Sequence, residues 1–536
     1  MPCKNLRGFV FAALLVSIFT VARAAADEGK VPVWPDPDWQ TASPEDEGMD
    51  SAALARLIAF GSTRSFDSLL IARHGRIVLD VSYAPYTADI PHAANSATKA
   101  IVGTLVAMLR EDGKLDSFDH RVLEFFADRK IADLDDRKRA ITVQHLLDMT
   151  SGFEWDEGIE GGKASSLDEL GRHYDWVQYI LDRPMAHAPG EAFYYDSGNP
   201  DLLSAIITKL TGKRAAEFAN ERLFGPLGIA SPFWRTNLQG LTIGAGGLML
   251  RPRDMAKIGY LYLRGGRWRE RQLLPPSWID AVNHATIDMH ASFDGGLRYA
   301  NLFWAMPDRH IFMAVGDHCQ LIMVLPGSDI VAVITARNYC PFRKVAGDIA
   351  GAVRSDTALP PAPEAAARLA AEIQTVSQET VVAVAAPPMA ATISDTRYTF
   401  PDNALDISAM RLHLTGVVPR YELDITLPNA DGRLFEVAGP LGLDGVFRKG
   451  AATAFGVPAA KAAWSDETTL DFDFQYVGLD EQRRVTLNFG PGGATLRGKA
   501  RNQREVTVAS ESWAAWLRHP LHRLATLIRR MAASSH

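Results

Sequence analysis

Apolar residues recur along this chain with two periods, and the change of period divides it. Ile101, Val102, Leu105, Met108 and Leu109 have the spacing of a helix that buries one face, and Leu202, Leu203, Ile206, Ile207 and Leu210 repeat it up to Thr211-Gly212. Between such helices lie short apolar runs. Ser68 to Ala72 and Ile77 to Tyr83, around Arg73-His-Gly-Arg, predict a hairpin, and the stretch from Ala314 to Thr335, turning at Pro326-Gly-Ser-Asp, predicts another. Strands after Phe312 are expected to return to the sheet of the first hairpin. Beyond Ser394 the pattern alternates, as in Tyr421-Glu-Leu-Asp-Ile-Thr-Leu, Leu470-Asp-Phe-Asp-Phe-Gln-Tyr and Val485-Thr-Leu-Asn-Phe. Alternation of this kind predicts half-buried strands of an all-β domain. Leu359-Pro-Pro-Ala-Pro opens the connection, Glu364 to Ser377 is Ala-rich and helix-prone, and Val381 to Met389 is Ala, Val and Pro. The expected organisation is a first body at 27–355, a linker with a helix at 356–393, an all-β domain at 394–510 and a tail at 511–536.

The 536 residues, 47% of them hydrophobic, suffice for two cores. Residues 1–26 carry Lys4 and Arg7, then the apolar run Gly8 to Val21, then the small residues Ala24-Ala-Ala26. That is the order of a secretory signal peptide, with an apolar core shorter than the roughly 20 residues of a membrane span. Its removal takes Lys4, Arg7 and Arg23 and changes the formal charge from −7 to −10. A secreted, periplasmic or extracellular protein is expected, and an acidic chain without a basic block is not a nucleic-acid partner. The tail from Trp513 to Met531 is amphipathic and basic, interrupted by Pro520; weak membrane-surface contact and docking on its own domain are both open. No Cys/His group has zinc spacing, so no metal and no cofactor are expected.

Chemistry is concentrated at Asn95-Ser-Ala-Thr-Lys99. Ser96 and Lys99 stand at i and i+3, on one helix face. With Asn95 as N-cap the helix is expected to begin at Ser96, where free amides and the dipole favour a developing oxyanion. Burial would favour the neutral amine of Lys99, able to take the Ser96 proton. Pro189-Gly-Glu-Ala-Phe-Tyr-Tyr-Asp-Ser-Gly-Asn-Pro reads as a loop entering the Leu202 helix, and Tyr195 and Ser197 alternate along it so that both side chains can point one way.

These residues resemble the serine hydrolases related to class C β-lactamases, penicillin-binding proteins and D-alanyl-D-alanine carboxypeptidases, in the branch of 6-aminohexanoate-dimer hydrolase and family VIII-type esterases. The likeness also includes Trp39 with Ser43-Pro44 and Gly48-Met49-Asp50, Ile141 to Gly152, Gly246-Gly-Leu-Met and Arg253-Asp-Met-Ala. It implies an α/β fold, a β-lactamase-like sandwich of an antiparallel sheet flanked by helices. It also implies Ser96 as nucleophile, Lys99 as its activating base and Tyr195 as the acid–base partner, against the alternative of Tyr195 as a packed aromatic. The family's strand with Lys-Thr-Gly, His-x-Gly or Gly-Gly-Gln corresponds to Asp317-His318-Cys319-Gln320, which puts an anion where a substrate carboxylate would meet a cation unless His318 compensates. The Gln320 and Ser96 amides are the expected oxyanion hole, with Ser197, Asp317 and His318 near the substrate; a purely local turn role for His318 stays open.

Cys319 and Cys340 flank the second hairpin and fold nearly opposite one another, as a disulfide or as two separate buried thiols. The reading is a serine hydrolase acting on a small ester or amide, or a peptide, with an ester or linear amide ahead of a β-lactam because of Asp317. A D-amino-acid peptidase or β-lactamase is the alternative, and outside enzymes a penicillin-binding sensor or scaffold that does not turn over.

Overall fold

The two predicted hairpins become neighbours in one sheet of the computed structural model, which describes residues 32–158, 165–230, 232–289, 296–382, 385–426, 434–453, 456–479, 482–500 and 504–511. The expected leader at 1–26 and the expected tail beyond Glu511 lie outside these residues. The strands are β1 (Gln40–Thr41), β2 (Phe66–Arg73), β3 (Arg76–Ser82), β4 (Ile287–Asp288), β5 (Arg298–Ala300), β6 (Phe303–Met306), β7 (Ile311–Gly316), β8 (Gln320–Leu325) and β9 (Ile330–Ala336). Their order is β1-β3-β2-β9-β8-β7-β6-β5-β4. β9 closes the sheet by pairing antiparallel with β2, Val333 opposite Leu70, and β1 runs parallel to β3. Every residue of β2, β7, β8 and β9 is buried. Helices cover both faces there, which is why these strands read as continuous apolar runs rather than as alternation.

The flanking helices are α1 (Ser51–Ser62), α2 (Ala97–Glu111), α3 (Gly198–Thr211), α4 (Pro252–Leu263), α5 (Phe342–Ala352) and α6 (Pro363–Val376). α1 starts where the Asp50 carboxylate accepts from the N–H groups of Ala52 and Ala53 at 2.8 and 3.2 Å, satisfying donors that the first turn leaves open. α2 is buried from Ala97 through Leu109 and is tied to α4 by a 2.8 Å hydrogen bond between the Thr104 and Tyr262 hydroxyls. Gly259 lets α4 lie on the sheet, since a Cβ there would meet the Val331 side chain at 2.6 Å. α6, expected in the linker, instead packs on α1. Leu369 is buried in the first core, and the Val376 carbonyl accepts from the Ala84 N–H at 2.8 Å.

The C-terminal part forms a four-stranded and a six-stranded antiparallel sheet around a separate core that includes Tyr421, Leu423, Phe472, Phe474, Leu487 and Leu496. Along 421–425 and 470–476 every apolar member of the alternating pattern is buried, and of the polar members Asp424 and Gln475 are buried too. A small cluster of Tyr86, Ile90, Phe447, Ala459 and Val477 joins the two bodies. Beside it the Ala93 N–H donates to the Gly478 carbonyl at 2.8 Å, and Arg337 reaches Gln475 at 2.7 Å and Gln482 at 3.2 Å. The β domain therefore abuts the chain just before Ser96. A chain ending at Ser377 keeps α6 and the first core, and it is expected to lose kcat/KM severalfold on an aryl ester while remaining folded by circular dichroism. Unchanged kcat/KM would show that the β domain neither covers nor braces the site.

Candidate active site

Ser96 is delivered by a short strand, His92–Ala93, that pairs with Leu248–Leu250, and Ala94 continues the pairing through its N–H to the Leu248 carbonyl at 2.8 Å. The chain then turns sharply. Asn95 has φ 46°, a left-handed conformation that asparagine tolerates, and its amide donates to the Asp317 carbonyl at 3.1 Å. Asn95 is thus not the expected N-cap. Ser96 occupies that position with helical backbone angles, and its hydroxyl makes no capping bond.

The hydroxyl faces Lys99 instead. Lys99 Nζ lies 2.9 Å from Ser96 Oγ and donates to the Ala245 carbonyl at 3.1 Å, while its stem is buried in the apolar face of α2 and only 1% exposed. The same nitrogen stands 4.8 Å from the centroid of the Tyr195 ring. Tyr195 is half-buried and meets Trp304 edge-on at 6.2 Å, whereas Tyr194 is 46% exposed. Ser96, Lys99 and Tyr195, from two segments a hundred residues apart, therefore form one cluster. The segment 141–152 holds the tyrosine loop in place: the Met149 carbonyl accepts from Tyr194 N–H at 2.9 Å and that of Thr150 from Gly190 N–H at 2.8 Å.

The remaining expected residues are placed differently. Ser197 is buried, its hydroxyl donating to Glu157 Oε1 and its N–H to Glu157 Oε2 at 3.1 Å. Trp155 Nε1 donates to the same carboxylate at 2.6 Å. Nothing in the sequence marks Glu157, and its carboxylate is the partner that the structure gives the Ser197 hydroxyl. The Gln320 side chain is also turned inward: its amide nitrogen donates to the carbonyls of His318 at 3.2 Å and Ala336 at 2.7 Å. Any oxyanion role there belongs to the backbone, where Gln320 pairs with Gly316 across the β7–β8 turn. Asp317 Oδ1 accepts from the His318 N–H at 2.9 Å, and Oδ2 lies 3.5 Å from His318 Nδ1. His318 also stacks near Tyr339, with ring centroids 5.3 Å apart. Cys319, at φ 68°, is joined to Cys340 in a disulfide with Cα atoms 5.6 Å apart.

Asp196, next to Tyr195, and Asp201 are buried, and Asp148 is half-buried in the segment that holds the tyrosine loop. Asp148 receives Asn301 N–H at 3.1 Å and Gln144 Nε2 at 2.8 Å, and burial holds its carboxyl above the ordinary range. Burial pushes Asp196 well up, with the nearby Glu157 charge adding to it. Asp201 is raised to about 7, chiefly by burial and against the backbone N–H groups of Gly244 and Ala245 that favour its charged form. Gly316 is a further residue of the site without a signal in the sequence. A Cβ there would collide with the Ala94 carbonyl and stand 3.1 Å from the Ala97 nitrogen, so glycine is what lets β7 pass against the nucleophile turn.

A family model described as Beta-lactamase matches residues 54–353. Among curated proteins, the 6-aminohexanoate-dimer hydrolase of Paenarthrobacter ureafaciens is 24% identical over 287 residues, 50% of this chain and 71% of that one. Protein flp of Staphylococcus aureus (strain COL) is 28% identical over 179 residues, 32% of this chain. That match spans only 35% of flp. Similar solved structures include EstCE1, a hydrolase with promiscuous acyltransferase activity, with TM-score 0.49 and 18% identity over 57% of this chain and 99% of that one. Another is the octameric penicillin-binding protein homologue from Pyrococcus abyssi, with TM-score 0.44 and 16% identity over 85% and 99%. The family match covers more than half of the chain and contains Ser96, Lys99 and Tyr195, and the chain belongs to the Beta-lactamase family of serine hydrolases.

Proposed function

We propose that the protein is a secreted hydrolase that cleaves a carboxylic ester or a linear amide through an acyl-enzyme on Ser96, with Lys99 and Tyr195 moving the protons. The observation that carries this reading is the 2.9 Å separation of Lys99 Nζ and Ser96 Oγ beneath the Tyr195 ring. In the first half, Ser96 Oγ bonds to the acyl carbon as Lys99 takes its proton. The tetrahedral intermediate collapses, the bond to the leaving group breaks, and that group departs with a proton passed through Tyr195. In the second half a water attacks the acyl carbon, its proton is taken up by the Lys99–Tyr195 pair, and Ser96 recovers its own as the acid leaves. The Ser96 and Gln320 backbone N–H groups are the proposed donors to the oxyanion.

Substrate preference follows from Asp317. A β-lactam or a peptide C-terminus brings a carboxylate to this edge, and the Asp317–His318 pair offers it an anion already matched to its own imidazole rather than a surplus cation. Export is supported by the composition of 1–26 and by the Cys319–Cys340 disulfide, a bond that persists in oxidising compartments.

A panel of short-chain aryl esters, linear amides, D-amino-acid peptides and a chromogenic cephalosporin tests the reading. Esters or linear amides are expected to have the highest kcat/KM. Cephalosporin turnover rivalling the aryl ester would put the β-lactamase alternative ahead, and faster cleavage of D-peptides the peptidase. Labelling by a fluorophosphonate without turnover of any member would favour the sensor.

A further inference from the structure

The Lys99 amine has two anchors. One is Ser96, and the other is a carbonyl whose own position is set by a buried acid. Asp201 lies in the first turn of α3 and is fully buried. Its Oδ1 accepts from the Gly244 N–H at 2.6 Å and from the Ala245 N–H at 3.3 Å. The carbonyl of the same Ala245 accepts from Lys99 Nζ at 3.1 Å. Gly244 is fixed from the other side, because a Cβ there would collide with the Pro200 carbonyl and stand 3.0 Å from the Asp201 nitrogen. One carboxyl oxygen and a contact that glycine alone permits thus clamp the 244–245 turn onto the start of α3. The second oxygen, Oδ2, is buried with no hydrogen-bond partner. A half-matched carboxyl in the interior costs stability. An arrangement that costs stability and ends on a proton-transfer group is what a supporting residue of an active site looks like.

We propose that Asp201 is a positioning residue for the general base, holding the Lys99 amine in place through the Gly244–Ala245 turn; this rests on the reading of Lys99 as the base. Lys99 on α2, Glu157 from the loop before α3 and Asp196 at its entrance are the charged groups that act on Asp201 or that it acts on. Burial raises Asp201 to about 7, so its charge changes within the working range of a hydrolase. The Lys99 charge favours the ionised form of Asp201 against the burial that raises it, so the two groups are electrostatically linked.

The test measures kcat, KM and the pH–kcat profile of Asp201→Ala and Asp201→Asn on an aryl ester, with circular dichroism for folding and Lys99→Ala as control. Asp201→Ala is expected to lower kcat roughly 10- to 100-fold with KM little changed, the scale of a small misplacement of a reacting group. Asp201→Asn keeps an acceptor for both N–H groups and is expected to restore most of that kcat, while the acid limb of its profile moves to lower pH because the titrating charge is gone. A folded Asp201→Ala with kcat within about twofold of wild type overturns the proposal. Where the alanine variant does not fold, an asparagine variant with an unmoved acid limb overturns it. Full activity in Lys99→Ala would instead remove the reading of the base, whatever Asp201 does.

Discussion

Ser96→Ala is expected to lower kcat roughly 10⁴-fold or more on any substrate the wild type turns over, with the circular dichroism spectrum and melting temperature nearly unchanged. The fold tolerates the change because the Ser96 hydroxyl does no structural work. It caps no backbone N–H of α2 and meets the Lys99 amine instead. Chemistry does not tolerate it, since the acyl group then has no oxygen to bond to. Lys99→Ala is expected to cost nearly as much, and the double variant little more than either single one, because groups that act as a unit are not additive in their losses. Burst kinetics with an aryl ester and mass spectrometry of a fluorophosphonate adduct check it: the wild type gains the mass of the acyl or phosphonyl group on the peptide holding Ser96, and the alanine variant gains none. Turnover by Ser96→Ala within tenfold of wild type would mean that another residue is the nucleophile.

Local pattern carried the parts of this structure that are local. The apolar stripe of α2 and the i, i+3 placement of Ser96 and Lys99 are properties of one helix, and the hairpins β2–β3 and β8–β9 are fixed by turn residues and flanking runs. What escaped was decided by partners distant in the chain. Asn95 is an ordinary N-cap residue by type, yet the Asp317 carbonyl, 222 positions away, takes its amide and Asn95 leaves the capping geometry. Ser197 and Gln320 have side chains suited to a substrate, but Glu157 and Ala336 meet them first. Asp201 reads as an acidic residue in a first helical turn, a common and uninformative position; its meaning lies in hydrogen bonds to residues 43 and 44 positions on. α6 falls in the expected linker because Leu359-Pro-Pro-Ala-Pro precedes it and its own sequence is Ala-rich; its docking on α1 depends on a surface that the sequence does not display locally.

Gly316→Ala is expected to cost at least about 100-fold in kcat, with a fall in melting temperature that is small by comparison. The added methyl has nowhere to go. It would meet the Ala94 carbonyl and the Ala97 nitrogen on one side and the Gln320 Cβ at 2.9 Å on the other. Ala94 and Ala97 bracket Ser96, so relief comes from moving either the nucleophile turn or the end of β7. Movement of the turn strains the Ala94–Leu248 hydrogen bond and carries Ser96 Oγ away from Lys99. Movement of β7 breaks the Asn95–Asp317 bond and shifts the Gln320 N–H proposed for the oxyanion. Both routes leave the core around β2 and β9 intact, which is why activity is expected to fall much further than stability. Steady-state kinetics on the best ester, the second-order rate of fluorophosphonate labelling and a thermal melt separate the two effects. A variant that labels and turns over at the wild-type rate would show that the close passage of β7 against the nucleophile turn does not set the geometry of the reacting oxygen.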